Sequence, residues 1–292
     1  MAGSLWGHID EGLVFITLGL WWLFNVFKRY LRAGGAQQYN TSLSFDYDFK
    51  GRKVNFEVYS KIIVPIIGLL IEFFNNGVHV GFTNENGSFK RMSSLQHISI
   101  YTLFILSGLI DLLQYKNILV IEGLEYLTTA LTFAWYGLIF YFHVTLEKHS
   151  SEMSDIVHSL GIVWCEGVAI ALVWEWRTVD KFMPNYFRSL MVLCLGTWFF
   201  HIPFYLFDSS GFPGTSPNPH WDRNNHANVQ FIATMFGFHI VFNITLSLIM
   251  YTVMRLVYTR KMGGSKSHVM FHRLANNESE LTENLTLLDE EV

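Results

Sequence analysis

Seven apolar stretches, approximately residues 12–27, 61–80, 95–115, 118–140, 156–176, 187–207 and 229–253, dominate this chain. Stretches of this length cross a bilayer as helices, because a helix satisfies its own backbone hydrogen bonds where no water can. The expected fold class is therefore all-α: a polytopic membrane helix bundle with seven transmembrane helices. Composition agrees, with 51% apolar residues, 15% charged and a mean hydropathy of +0.27. Twenty-six Phe and nine Trp suit a lipid-facing surface with aromatic edges.

The second stretch is the least regular. Glu72, Asn75 and Asn76 interrupt it, and Pro65 and Gly68 favour a bend. The third and fourth meet at Gln114-Tyr115-Lys116-Asn117, a connection short enough to make them antiparallel neighbours. With the N-terminus outside or lumenal, sixteen of the twenty Lys and Arg fall on one side or at its helix ends; Lys90, Arg91, Lys148 and Arg223 lie opposite. Basic residues favour the cytosolic face, so the C-terminus is expected in the cytosol. Dropping the second span would destroy that consistency. Two divisions follow: 1–260 as the seven-helix domain and 261–292 as a flexible cytosolic tail. The run Ser44-Phe45-Asp46-Tyr47-Asp48-Phe49 alternates as a short hairpin strand would. Cys165 and Cys194 fall within spans and read as packed thiols.

Ten of the twelve histidines fall on the outer side or near mid-membrane: His8, His79, His97, His143, His149, His158, His201, His220, His226 and His239. Imidazoles so gathered can hold a transition metal such as zinc, shuttle protons, or cross-link helices. Metal candidates are Glu72, His97, His143, His158, His201 and His239; Glu166, Trp198 and Asn243 complete the candidate cavity or ligand-binding set. His158 and Glu166 share a face of one span, and Cys194, Trp198 and His201 form a stripe on the next. His239 is the deepest histidine, and Asn243 one turn on is spaced to orient its ring. A second polar stripe, Glu125, Thr129, Thr132 and Tyr136, leads toward His143. No HExxH pair or other complete catalytic motif is present, so whether the protein is an enzyme stays open.

The leading expectation is an endomembrane scaffold or lipid-interacting protein with a histidine-rich polar cavity on its lumenal side. Alternatives are a metal-dependent lipid hydrolase, in which a metal-bound water attacks an ester or amide, and a proton-coupled transporter. A haem protein with His201 and His239 as axial ligands is a further reading. In the tail, Glu283 followed by Leu287-Leu288 fits an acidic dileucine sorting pattern, which would engage a clathrin-adaptor complex. Expected partners are thus membrane lipids, that adaptor and a second copy of the chain, with no nucleic acid. The expected location is the membrane of Golgi, endosome or lysosome, with the plasma membrane as a further site.

A resemblance joins these features. Gly7-His8, Leu69-Leu70-Ile71-Glu72-Phe73, the stretch from Leu95 to Phe104, Ser107-Gly108-Leu109-Ile110-Asp111, Tyr141-Phe142-His143, Gly196-Thr197-Trp198-Phe199 and Phe238-His239 span most of the apolar region. On these residues the chain resembles the transmembrane protein 45 family, also called the DUF716 domain family. That resemblance implies a seven-span endomembrane or plasma-membrane protein and supplies no catalytic assignment.

Overall fold

A computed structural model describes residues 5–35, 38–74, 81–146, 151–207 and 222–261. Its elements are α1 (Leu5–Arg32), β1 (Tyr47–Phe49), β2 (Arg52–Val54), α2 (Phe56–Phe74), α3 (Met92–Tyr115), α4 (Leu124–Leu146), α5 (Glu152–Arg177), α6 (Phe182–Leu206) and α7 (His226–Lys261). Among the described residues, six helices are long and apolar enough to cross a membrane. The chain is therefore an all-α, multi-pass membrane bundle. α2 stays outside that set: it is 19 residues long and carries Glu57, Lys61 and Glu72.

α6 is the hub, packed by α1, α5 and α7, while α2 leans on α3 and α3 on α4. Its buried residues include Trp198, Phe199, Leu193, Leu195 and Ile202. The α1–α6 crossing is close because glycines line it. A methyl built on Gly12 would stand 2.5 Å from the Phe200 backbone nitrogen, and one on Gly19 would stand 2.7 Å from Leu193 Cα. Gly196 answers from α6, between those two, against the backbone of Phe15 and Ile16. Small residues at such crossings let dispersion act between backbones where lipid removes the hydrophobic drive. Gly108 does the same for α3 against Lys61 and Ile62 of α2.

α7 shows the membrane pattern most plainly. Its apolar side chains Phe238, Val241, Phe242, Leu248 and Ile249 are exposed, while Asn243 and Ser247 are fully buried. In lipid the polar face turns inward.

One connection differs from the sequence expectation, and a second follows it. α4 begins at Leu124 rather than near residue 118, so the α3–α4 connection is longer than Gln114–Asn117. Asn117 (φ 55°) and Gly123 (φ 79°) break the helix on either side, and the Gln114 side-chain amide donates to Ile121 O at 2.6 Å. Residues 47–54 fold into a two-stranded antiparallel hairpin with Tyr47 opposite Val54 and Phe49 opposite Arg52. Its turn, Lys50 (φ 52°) and Gly51 (φ 79°), has the positive dihedrals that match strand twist in two-residue hairpins.

Candidate functional site

Polar groups collect on separate helix seams. At one end His8 of α1, His143 of α4 and His158 of α5 are all buried. The His143 and His158 rings meet edge-to-face with centroids 4.9 Å apart, and His8 lies 5.9 Å from His158. His158 Nδ1 donates to the Ser154 carbonyl at 2.7 Å, since a carbonyl can only accept. That bond places a proton on Nδ1 and fixes the ring's orientation. Phe140 and Phe199 wall the trio from the rest of the bundle.

The second seam runs between α6 and α7. His201 Nδ1 stands 2.9 Å from His239 Nε2 and 3.1 Å from the Tyr205 hydroxyl. His239 Nδ1 meets Thr197 Oγ1 at 3.2 Å, and the Asn243 amide donates to Thr197 Oγ1 at 2.8 Å. Thr197 gives its one hydroxyl proton to Cys194 O at 3.1 Å, so it accepts from His239 Nδ1–H, which leaves His239 Nε2 and the Tyr205 oxygen to accept from His201 Nδ1–H. Asn243 therefore orients His239 through Thr197 and through the His239 carbonyl (2.8 Å), not through the imidazole itself. Asn243 Oδ1 is buried with no hydrogen-bond partner among the described residues. Trp198 packs edge-on to His239 at 5.2 Å and donates its indole N–H to Val157 O at 3.0 Å.

A third pair lies between α2 and α3, where His97 Nδ1 meets Glu72 Oε1 at 2.6 Å. Glu166 goes elsewhere: its carboxylate lies across Gly137 of α4, 2.5 Å from where a Cβ there would sit. The sequence grouped Glu166 with His158 on one cavity; the structure sets its carboxylate against the α4 backbone.

The zinc expectation is overturned. Among the described residues no group of three or more His, Cys, Asp or Glu side chains can hold a metal ion. Glu72 and His97 bond directly across α2–α3, His143 and His158 pair across α4–α5, and His201 and His239 bond directly across α6–α7. A structural zinc needs four ligands and a catalytic one three, converging on a point about 2 Å from each. Three pairs on three seams do not converge. The hydrolase reading loses its ligand set with them, and the direct nitrogen-to-nitrogen bond between His201 and His239 leaves no room for an iron between those rings. His79, His149, His220 and the Glu283, Leu287, Leu288 motif lie outside the described residues.

Sequence reasoning missed the most tightly bonded cluster, at the opposite end. Glu175 and Arg188 are both wholly buried and form an ion pair, Nε to Oε2 at 2.6 Å. Thr41 and Tyr126 hydroxyls also donate to Glu175. Arg188 further donates to the carbonyls of Ser42 (3.0 Å) and Leu43 (3.3 Å), and its guanidinium lies 4.0 Å over the Trp22 ring. Beside it, Glu57 accepts from the indoles of Trp21 and Trp22 and from the Phe45 amide. The α1–β1 loop is thus strapped across the bundle, with Tyr39 buried in it and its phenol pushed above the usual range by that burial. The available signal was an arginine inside the first two turns of a span and a glutamate inside the last turn of its predecessor.

Nearby, Lys61 of α2 reaches Asp111 Oδ2 of α3 and Thr129 Oγ1 of α4, both at 2.7 Å. This pair welds the peripheral α2 to the bundle. Asp111→Leu is expected to strand the ammonium and cost about 3 kcal/mol. The readout is thermal unfolding in detergent, with Lys61→Met in the same background restoring part of the loss; unchanged melting would remove the weld.

Comparisons with known proteins agree with this architecture. Residues 122–252 match the model of a family described as "Family of unknown function (DUF716)". Transmembrane epididymal protein 1A of Mus musculus is 25% identical over 265 residues, covering 86% of this chain and 81% of the relative. Transmembrane epididymal protein 1 of Homo sapiens is 23% identical over 201 residues, covering 66% and 70%.

Proposed function

The chain belongs to the DUF716 family, and on that premise we propose that it is an endomembrane scaffold that engages lipid through the α6–α7 seam. One observation carries this reading. The imidazoles of His201 and His239 are half-buried and bonded to each other, and the helix that carries His239 also carries the exposed rings of Phe238 and Phe242 and the buried, donor-lacking Asn243 oxygen. Such a seam offers a lipid hydroxyl or amide both a polar anchor and an aromatic rail. The buried His8, His143 and His158 then serve as cross-links closing the same end of the bundle.

Seven crossings, with the N-terminus lumenal and the C-terminus cytosolic, complete the proposal. The membrane cost of α2 falls because Lys61 is paired with Asp111 and Glu72 with His97. The acidic dileucine segment of the tail, Glu283 with Leu287 and Leu288, would direct the protein to endosomes or lysosomes through a clathrin-adaptor complex.

The test is photo-crosslinking of a clickable ceramide analogue to the purified protein in lipid vesicles. The ladder uses both nitrogens of His239 but only Nδ1 of His201, so losing one hydrogen bond to the lipid predicts roughly fivefold less labelling in His201→Leu than in wild type. Mass mapping should place the adduct on α6 or α7. Equal labelling of variant and wild type, or adducts spread evenly over all helices, would refute the seam as a lipid site.

A further inference from the structure

The β1–β2 hairpin and the α3–α4 loop sit together at the Glu175–Arg188 end of the bundle. The Tyr115 hydroxyl, at the end of α3, donates to Lys53 O of β2 at 3.2 Å. Tyr47 packs against Trp21 and Phe56, which fixes the hairpin to the side of α1 and the start of α2. Its two-residue turn is closed by the Gly51 amide on Asp48 Oδ1 at 2.9 Å. The hairpin is therefore a rigid projection.

Its surface chemistry is mixed in one particular way. Phe49 and Phe56 are each 51% exposed, and the loop after Tyr115 exposes Ile118 by 72% and Val120 by 84%. Among them stand Lys50, Arg52, Lys53 and Lys116, with Lys50 over the Phe49 ring and Lys116 over the Tyr115 ring. Asp46, Asp48 and Glu122 share this end, so the basic excess is small, and one Asp48 oxygen is engaged by the turn. Fully watered apolar tips would be costly, whereas interleaved aromatic and basic side chains suit the headgroup boundary of a bilayer.

We infer that the hairpin and the α3–α4 loop form a foot that binds anionic phospholipid headgroups on their side of the membrane. The apolar tips, Phe49, Ile118 and Val120, enter the acyl boundary. Lys50, Arg52, Lys53 and Lys116 stand above them at phosphate depth. This surface lies at the opposite end of the bundle from the histidine trio, and the inference does not depend on the α6–α7 seam.

The experiment places a bimane label at Val120→Cys. The native thiols Cys165 and Cys194 are buried, so the label is confined to the loop. The full chain is reconstituted in vesicles of phosphatidylcholine and phosphatidylglycerol, with bromines on the acyl chains of one lipid or the other at equal mole fraction. Brominated phosphatidylglycerol should quench at least about twofold more strongly, and the excess should vanish as salt shortens the Debye length from about 10 Å to about 3 Å. The excess should also vanish in Lys50→Gln/Arg52→Gln/Lys53→Gln, while quenching by brominated phosphatidylcholine persists. If the triple variant does not fold, Lys116→Gln alone should reduce the preference. Equal quenching by both lipids would overturn the headgroup preference. Absence of quenching by either, with the label shielded in cross-linked dimers, would assign this face to a second copy instead.

Discussion

Arg188→Ala is expected to destabilise the protein by about 3–5 kcal/mol, the largest effect of any single polar substitution in the bundle. Arg188 and Glu175 have no solvent exposure, so removing the guanidinium leaves a buried carboxylate facing only the Thr41 and Tyr126 hydroxyls. In the same step the Leu43 carbonyl loses its side-chain donor, Ser42 O keeps only the Asn185 amide at 3.4 Å, and Trp22 loses its stacked cation. Arg188→Lys keeps the charge but not the planar fork, so it is expected to recover only part of the loss. Glu175→Gln with Arg188→Met should be less damaging than Arg188→Ala alone, because no unpaired charge remains. Thermal unfolding in detergent measures the stability, and limited proteolysis of the α1–β1 loop measures the strap. Wild-type melting together with an uncut loop in Arg188→Ala would be incompatible with this account.

Gly196→Leu is expected to be of similar severity, about 3 kcal/mol, by a steric route. The atoms that a side chain at Gly196 would meet are backbone atoms of Phe15, Ile16 and Gly12, which cannot swing aside as a side-chain tip can. α1 and α6 must then separate along their length, opening the core around Phe15, Trp22 and Phe199. Gly196→Ala should fall between wild type and leucine. Gly237 on α7 is the matched control: nothing lies within 4 Å of a Cβ there, so Gly237→Ala is expected to stay within about 0.5 kcal/mol of wild type. Melting temperatures and the yield of a cysteine cross-link between α1 and α6 report the effect. A Gly196→Leu protein that melts and cross-links like Gly237→Ala would remove the crossing as a determinant of stability.

The membrane class was legible because apolar length is a property of each segment alone. The hairpin too was local, announced by the alternation from Ser44 to Phe49. Helix pairing was not legible, because nothing in the α1 sequence names α6 as its neighbour. Gly12 and Gly19 share a face in the sequence, yet their meaning depends on Gly196 lying between them on another helix. The histidines show the same limit. Their common end of the bundle follows from topology, but their division among three seams follows from which helices touch, so a set that reads as one cluster along the chain becomes one trio and two pairs in space. Glu175 and Arg188 escaped notice for a related reason. Each looks like an interfacial charge near a span end, and only the strap formed by residues 39–45 encloses them.

The pairing of α1 with α6 also bears on how the protein is made. Translation delivers α1 first, and some 150 residues must emerge before its main companion begins at Phe182. Glu11 gains its Tyr136 donor earlier, from α4, but the glycine-lined face waits in the bilayer until α6 arrives. A ribosome stalled or a message truncated ahead of α6 would leave an orphaned first helix, a natural substrate for insertion chaperones and for membrane quality control.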